Sequence, residues 1–201
     1  MALTPLTSSA LPAGELSALP NDTWARIGRG LNGRWPAWAL PVVATNGSQG
    51  PSARVLALRA ADGATRTLVF HCDARSEKVR QLAHDPRVAV TFWDAADGIE
   101  ARFCGGARIH RGDDVAAAAW REVSPLRKLA SASVLGPGTR LQQSQRFDAI
   151  GDSDHHDGFG NFAVLHVRVH ELDWLWVGAD DMRRATFLWT GAAWDGAWIV
   201  P

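Results

Sequence analysis

Apolar runs of strand length, separated by turn signals, recur along most of the 201-residue chain. Runs of this kind, rich in β-branched and aromatic residues and bounded by Gly, Pro, Asp or Asn, are typical of β-strands. The runs that predict strands are 38–46, 53–61, 66–72, 87–93, 99–110 and 162–177, followed by a closing hairpin over 185–201. Because helices are inserted between these runs without regular alternation, the sequence predicts a mainly β fold, a β-barrel with inserted helices, and disfavours βαβ units.

The helical patterns are short. An Asx-type N-cap and a Gly stop delimit a predicted helix at 21–33. A second predicted helix covers 76–84 and ends at Asp85-Pro86, because the residue before a proline is disfavoured in the α conformation. Residues 113–122 predict a strong helix and residues 124–138 a weaker one.

Two strand-like runs carry residues that bear on strand geometry. Arg54 and Arg59 flank the apolar VLAL segment, and side chains five positions apart in a straight strand lie on opposite faces. If both arginines reach one ligand, the strand must bend or the ligand must wrap around its edge. Gly105-Gly106 interrupts another run, which predicts a bulge or a close backbone approach.

The composition describes one folded domain without an obvious charged partner. Apolar residues make up 46% of the chain, and 21 basic residues balance 21 acidic ones, so neither nucleic acid nor an anionic membrane is expected as a partner. No stretch of eighteen apolar residues predicts a membrane span. Residues 1–20 lack a basic region and contain prolines, which predicts a flexible leader, not a signal peptide, before a single domain at 21–201. A polar loop at about 136–158 is open to two interpretations, a lid or a disordered segment.

Metal and thiol chemistry are not predicted. Cys72 and Cys104 have no metal-like spacing, so no disulfide is expected and a cytoplasmic location is the default. His155 and His156 lie in a polar loop without a regular ligand face, so we predict no metal. The chain has neither a nucleophile elbow nor a G-x-G-x-x-G turn opening a helix, which disfavours hydrolase and Rossmann functions.

The segment DARSEK, residues 73–78, has two compatible interpretations. Asp73 or Ser76 is suited to cap the helix that follows. The same helix end offers free N–H groups and a positive dipole, and Arg75 and Lys78 add cationic donors suited to a phosphate. Capping and anion binding are both consistent with this segment.

The ten tryptophans, in a chain without tyrosine, also leave two interpretations open. Tryptophan is common at subunit contacts and at sites for planar ligands, but it also fills ordinary cores. Trp120, Trp174 and Trp176 are the candidates for lining the open face of a planar cofactor.

Several segments in combination resemble the pyridoxamine 5'-phosphate oxidase-like flavoproteins, and most closely the branch described as the Alr4036-type FMN-binding domain. The resemblance covers roughly residues 22–201 and matches poorly at 136–158. It rests on the order of ARVLALR, FHCDARSEKVRQLAHDPRVAVTFW, IEARFCGGARIH and the Trp-rich C-terminal hairpin.

This resemblance implies a split β-barrel homodimer with FMN in two clefts between the subunits. It implies that Arg54 through Arg59, including Val55 and Leu56, line the flavin, with the arginines near its phosphate. His71 and Cys72 would lie against the flavin. The remaining implied contacts are Ser76 and Lys78 at the phosphate or ribityl chain, Arg75 assisting them, Glu100 in place of a glutamine near the isoalloxazine, and Trp176 beside the cofactor.

The chain departs from the vitamin B6 oxidase pattern at the substrate side. Glu77 stands where those oxidases have a second phosphate-binding arginine, and Thr186 replaces an arginine that contacts the flavin. The expected Arg-x-His motif reads Met182-Arg183-Arg184. The tyrosine, arginine and serine that hold the B6 phosphate correspond to Trp120, Ser124 and Lys128. Vitamin B6 oxidation is therefore not expected.

These observations leave three functions to compare. The first is an FMN-dependent oxidoreductase of unknown substrate, with a small molecule or a nicotinamide as redox partner, in which no general acid or base is assigned. The second is a flavin-binding module for storage, sensing or delivery. The third is a relative that binds haem or another planar ligand.

Overall fold

A computed structural model describes residues 15–33, 37–144 and 158–201, and it has a mainly β architecture, as predicted. The strands in these ranges are β1 Val42–Gly47, β2 Gly50–Val55, β3 Leu58–Asp62, β4 Thr67–Asp73, β5 Arg87–Asp94, β6 Ile99–His110, β7 Phe162–Val177, β8 Met182–Trp189 and β9 Trp194–Ile199. The helices are α1 Leu19–Asn32, α2 Glu77–His84, α3 Asp114–Arg121 and α4 Pro125–Ala132, with 3-10 turns at Leu16–Ala18 and Phe159–Asn161. Among the described residues, no helix is both long and apolar enough to cross a membrane.

All strand pairs are antiparallel and belong to one sheet whose order is β2-β1-β5-β6-β7-β4-β3. The 16-residue strand β7 organises this sheet. Its first half pairs with β4 and its second half with β8, while β6 runs along nearly its whole length on the other side. The sheet therefore divides beside β7 into a β4–β3 arm and a β8–β9 arm.

The single strand predicted over 53–61 is divided into β2 and β3 by a bend between Arg54 and Arg59, which is the first of the two alternatives considered for these arginines. Pairing with β1 ends at Val55, and the chain resumes as β3 at Leu58, which pairs with β4. The backbone N–H groups of Leu56 and Leu58 donate to the carbonyls of Pro41 and Ala39, at 3.1 and 2.9 Å. Because β2 and β3 are the two ends of the strand order, this bend closes the sheet into a barrel.

The predicted irregularity in the 99–110 strand is also confirmed. The register between β6 and β7 shifts between Cys104 and Gly105. A Cβ atom at Gly105 would lie only 2.4 Å from the backbone oxygen of Arg168, so only glycine permits this backbone approach.

The barrel interior is filled by alternate side chains of the central strands. Phe70, Phe92, Phe103 and Leu172 are fully buried there. Helix α1 closes one side of the barrel, and its Trp24 ring lies 5.3 Å from that of Phe103. A smaller apolar cluster covers the other face at the start of β7, and it consists of Phe162, Val164, Ala116 and Val123.

The N-terminal boundary differs from the prediction. Helix α1 begins at Leu19, inside the segment expected to be a flexible leader, because Leu19 is buried and Pro20 suits the first helical turn. Residues 1–14 and the 145–157 part of the predicted polar loop lie outside the described residues. Of the weak helical pattern at 124–138, only α4 is helical.

Helix α1 packs closely on the segment that follows it, and this contact gives a stability prediction. A Cβ atom at Gly30 would lie 2.6 Å from the Cβ of Trp38, and neither atom belongs to a flexible side-chain end. We expect Gly30→Ala to lower the free energy of unfolding by about 1–3 kcal/mol in urea titrations. Gly28→Ala is the matched control in the same helix, since no atom lies within 4 Å of its added Cβ. It should be neutral or stabilising by up to about 1 kcal/mol, and equal losses in both variants would contradict the close packing.

Candidate functional site

Two half-buried cations, Arg54 on β2 and Lys78 on α2, lie beside each other at the closed side of the barrel. The Arg54 guanidinium donates to Thr45 Oγ1 at 2.6 Å, to Ser52 Oγ at 2.7 Å and to Gln81 Oε1 at 3.3 Å. Lys78 Nζ donates to Ser76 Oγ at 3.1 Å. All these acceptors are neutral. Among the residues that the structure describes, neither cation has a carboxylate within 4.0 Å.

The electrostatics of this pair favour a bound anion. Burial lowers the pKa of Lys78, and the positive charge of Arg54 lowers it further. Burial also lowers the pKa of Arg54, with Glu77 acting in the opposite direction. An anion between the two would offset both the burial and the mutual repulsion. We call Arg54, Ser76 and Lys78 the cation cradle.

The N-terminus of α2 forms part of the cradle. Ser76 occupies the N-cap position, as predicted, and is only 3% exposed, but its side chain makes no capping hydrogen bond. Its hydroxyl instead donates to the backbone oxygen of Asp73 at 2.7 Å and accepts from Lys78. The first turn of α2 therefore keeps a positive end without a side-chain cap, in the place where an anion is stabilised.

Arg75 has partners that the sequence did not indicate. It forms an ion pair with Asp73 at 2.7 Å and donates to the backbone oxygens of Ser133 and Val134, at 2.8 and 3.2 Å. It thereby ties the loop after α4 to the end of β4. Its predicted assistance at a phosphate stays a prediction.

The other predicted positions on the bent strand differ in environment. Arg59 lies at the register shift of β3, and its Nε is buried without a hydrogen-bond partner in the described structure. Leu56 is half-buried at the bend, whereas Val55 is exposed. Arg59 thus has an unused donor, and Val55 contributes to an outer surface.

His71 and Cys72 end strand β4 and line a small cavity. The His71 ring meets Phe162 edge-on, with centroids 5.0 Å apart, and burial lowers its pKa, which favours the neutral imidazole. Burial raises the pKa of Cys72 to about 11, so its thiol stays protonated at neutral pH. Neither side chain is therefore an ionised catalytic group.

The same cavity, of about 100 Å³, shows two residues that the sequence analysis missed. Its other walls include Arg127 and Ser131, one helical turn apart on α4. The positions assigned by resemblance lie elsewhere: Ser124 is the N-cap of α4, and the Lys128 ammonium lies over the Trp120 ring at 5.3 Å. The i, i+4 spacing of an arginine and a serine was the signal that could have found them.

Glu100 and Trp176 lie far along the sheet from the cradle. Cys72, next to the cradle, pairs with Ala163 at the start of β7, whereas Trp176 is at its end. At about 3.3 Å per residue, the ends of β7 are roughly 40–50 Å apart along the strand. Glu100 pairs with Leu175, the neighbour of Trp176, and so faces the opposite side of the sheet. Within one chain, the structure does not bring these residues together with the cradle.

The outer face of this sheet carries both an ionic network and exposed apolar side chains. Asp173 accepts hydrogen bonds from Arg102 and Arg184, and these partners hold its pKa below the usual range, with Arg184 contributing most. Val42 and Val55 lie in the same row of paired residues across the sheet as Arg102 and Asp173. Their side chains are 41% and 59% exposed.

No group of three or more potential metal ligands occurs in the described parts of the chain. His155 and His156 lie outside those parts.

Comparison with known proteins identifies first the fold and then the family. The fold is a split β-barrel like that of a pyridoxamine 5'-phosphate oxidase-related, FMN-binding protein from Nostoc punctiforme, with a TM-score of 0.71 and 19% identity over 96% of this chain and all of that one. It is equally similar to PhzG from Burkholderia lata, solved with tetrahydrophenazine-1-carboxylic acid, with a TM-score of 0.72 and 18% identity over 98% of this chain and all of that one. A haem-binding protein from Mycobacterium smegmatis is more distant, with a TM-score of 0.50 and 19% identity over 88% of this chain and 59% of that one.

The sequence model of the pyridoxamine 5'-phosphate oxidase family matches residues 39–173, more than half of the chain. The chain therefore belongs to this family. A pyridoxine/pyridoxamine 5'-phosphate oxidase from Kineococcus radiotolerans is 52% identical over 50 residues, which are 25% of this chain and 22% of that protein. The branch expected from the sequence stays a prediction.

Proposed function

We propose that this protein is an FMN-binding flavoprotein whose cofactor phosphate lies in the cation cradle. The observation that carries the proposal is the adjacent pair of half-buried cations, Arg54 and Lys78, with neutral partners only among the described residues. A phosphate accepts charge-assisted hydrogen bonds from both and from the free end of α2. Family membership and the FMN-binding relative from Nostoc punctiforme support this assignment.

The residues around the cradle fit the rest of such a cofactor. The buried, unpartnered Nε of Arg59 is a further donor, and Leu56, His71 and Cys72 offer neutral surface for the ribityl chain and the ring. Bound FMN would supply the one- and two-electron redox chemistry, which these side chains do not provide. Their task is to hold and orient the cofactor.

The cradle generates a binding prediction. Replacing Arg54 and Lys78 with alanine should weaken FMN binding, because each contact to a charged phosphate contributes about 1.5–3 kcal/mol. Fluorescence quenching of FMN titrated with protein measures the dissociation constant. Arg87→Ala is the matched control, since Arg87 is exposed and already paired with Asp85 at 2.7 Å. Full flavin occupancy in the double variant would refute the phosphate assignment.

We also propose a homodimer in which each flavin contacts both chains. Glu100, on the outer face of the sheet, can contribute to a cradle only if it belongs to a second copy, because β7 separates it from the cradle of its own chain. Trp176 faces the other side of the sheet and is buried in the core. The exposed Val42, Val55 and Trp93, together with the Asp173 network, give the outer face the mix of apolar and ionic groups found at subunit interfaces.

This arrangement predicts that assembly and flavin binding are coupled. Val42→Glu should place a carboxylate in the apolar part of the interface and shift the protein to monomers with reduced flavin occupancy. Sedimentation velocity with detection at the flavin absorbance measures both quantities. Ala25→Glu, on the exposed side of α1, is the control and should leave both unchanged. A wild-type monomer that still binds FMN would overturn the dimer.

With flavin bound, the protein would act as an oxidoreductase on a small molecule in the cytoplasm. Neither nucleic acid nor a membrane would be its partner. A second candidate, oxidation of a vitamin B6 phosphate, is favoured by Arg127 and Ser131 in the cavity beside His71 and by the match to the Kineococcus oxidase. A storage or sensing protein would bind flavin without turnover, and a haem-binding relative would show a Soret band in place of flavin absorbance.

Anaerobic reduction separates these functions. We expect the purified protein to show flavin absorbance that is bleached by a nicotinamide or by pyridoxamine 5'-phosphate. Bleaching by the second donor only would support the B6 candidate, and it should then be weaker in Arg127→Ala. Flavin absorbance that no donor bleaches would identify a passive binder, and a Soret band would exclude both flavin functions.

A further inference from the structure

Arg75 joins the turn that begins α2 to the end of α4. All three nitrogens of its guanidinium donate hydrogen bonds, Nε and Nη2 to the Asp73 carboxylate and Nη1 to the backbone oxygens of Ser133 and Val134. The same carboxylate accepts from the backbone N–H of Arg75 at 2.7 Å. Ser76 of the cation cradle follows Arg75 in the sequence and donates to the backbone oxygen of Asp73. One turn of chain therefore carries both the cradle serine and the attachment of α4.

Helix α4 is weakly held apart from this attachment. Ser131 is its only buried residue, and Ser124 at its N-cap makes no side-chain capping hydrogen bond. A helix of eight residues is marginal on its own, so it needs contacts from the rest of the fold. Asn161 supplies one by donating to the Ser131 oxygen at 2.9 Å. Arg75 supplies another at the C-cap residue Ser133, where a cation also meets the negative end of the helix dipole.

The loop that follows α4, residues 133–141, depends on the same arginine. Its apolar side chains Val134 and Leu141 are exposed and are not part of the core. The loop lines most of a pocket of about 260 Å³ that also has Asp73 in its wall. In the parts of the chain that the structure describes, Arg75 is the only side chain from outside this loop that donates to it. The position of the loop therefore follows that of Arg75.

Arg75 differs from the cations of the cradle in its partners. Arg54 and Lys78 donate to neutral acceptors, whereas Arg75 is paired with the carboxylate of Asp73 at 2.7 Å. Its guanidinium is directed toward Asp73 and the end of α4. Loss of its side chain would therefore break a link between two parts of the chain and leave the cradle cations in place.

We propose that Arg75 is a positioning residue that makes the placement of α4 depend on the bound flavin. The inference rests on the proposed function, since it requires the flavin phosphate to lie in the cation cradle. A phosphate there would fix Ser76 and the free N–H end of α2, and with them the turn from which the Arg75 side chain projects. Arg75 would in turn hold α4 with Arg127 and Ser131 in the wall of the small cavity at the end of β4. A substrate would find this wall in place only after flavin has bound.

Hydrogen–deuterium exchange of the flavin-stripped and the FMN-loaded protein tests this role. In the wild type we expect FMN to slow exchange across residues 126–141 by at least about fivefold, the lower end of typical coupling between two sites. In Arg75→Gln this difference should disappear while FMN still binds. Because coupling is reciprocal, the dissociation constant for FMN should rise by no more than the factor by which FMN slows exchange in the wild type. Arg87→Ala is the matched control, since Arg87 is exposed and lies beyond the other end of α2, and it should keep the full difference.

Three results would overturn the inference and leave the FMN proposal intact. The first is FMN binding by the wild type without slower exchange in 126–141. The second is faster exchange in both forms of Arg75→Gln with an unchanged effect of FMN, which would show a purely structural role. The third is a larger rise of the FMN constant than the wild-type exchange factor, which would show that Arg75 contacts the phosphate itself.

A conservative variant keeps the comparison available if Arg75→Gln does not fold. Arg75→Lys retains a charge beside Asp73 but lacks the planar fork that reaches the carboxylate and both carbonyls, so it should also lose the effect of FMN on exchange. A full effect of FMN in Arg75→Lys would contradict the positioning role. A wild-type protein that does not bind FMN would overturn this inference and the proposed function together.

Discussion

The break between β2 and β3 is the constraint on which the barrel and the cradle both depend. Hydrogen bonds from Leu56 and Leu58 to the segment before β1 hold the bend in place. Because of it, one continuous stretch of chain pairs with β1 on one side and with β4 on the other, which closes the sheet. The same bend leaves Arg54 facing α2, where its guanidinium meets neutral acceptors and lies close enough to Lys78 to affect its pKa.

Closing the barrel in this way puts two like charges into a half-buried region, which opposes folding. The fold offsets this partly with hydroxyl and amide acceptors, from Thr45, Ser52 and Gln81 to Arg54 and from Ser76 to Lys78. These neutral acceptors solvate the cations but do not neutralise them. Such an arrangement is maintained at a cost in stability, and it is typical of sites where a ligand completes the electrostatics.

The elements that the sequence predicted well are those set by local chemistry. Helix α2 lies within one residue of the predicted range because Ser76 and Asp85-Pro86 delimit it, and the bulge at Gly105 follows from the glycine pair. Arg75 was less predictable, since its partners Ser133 and Val134 are far away in the sequence. Arg127 was missed because the resemblance assigned Ser124 and Lys128 instead, and the local sequence does not show which side of α4 faces the cavity beside His71.

The length of β7 links this local chemistry to assembly. A strand of 16 residues is long for a barrel of this size. Its first half pairs with β4 near the cradle, and its second half pairs with β8 at the far end. Trp176, with a buried indole Nε1 that has no partner among the described residues, lies at the far end. If one cofactor contacts both ends, the chain cannot fold around it alone. In the proposed homodimer, a two-fold axis would bring the far end of each β7 to the cradle of the other copy and would create two equivalent sites.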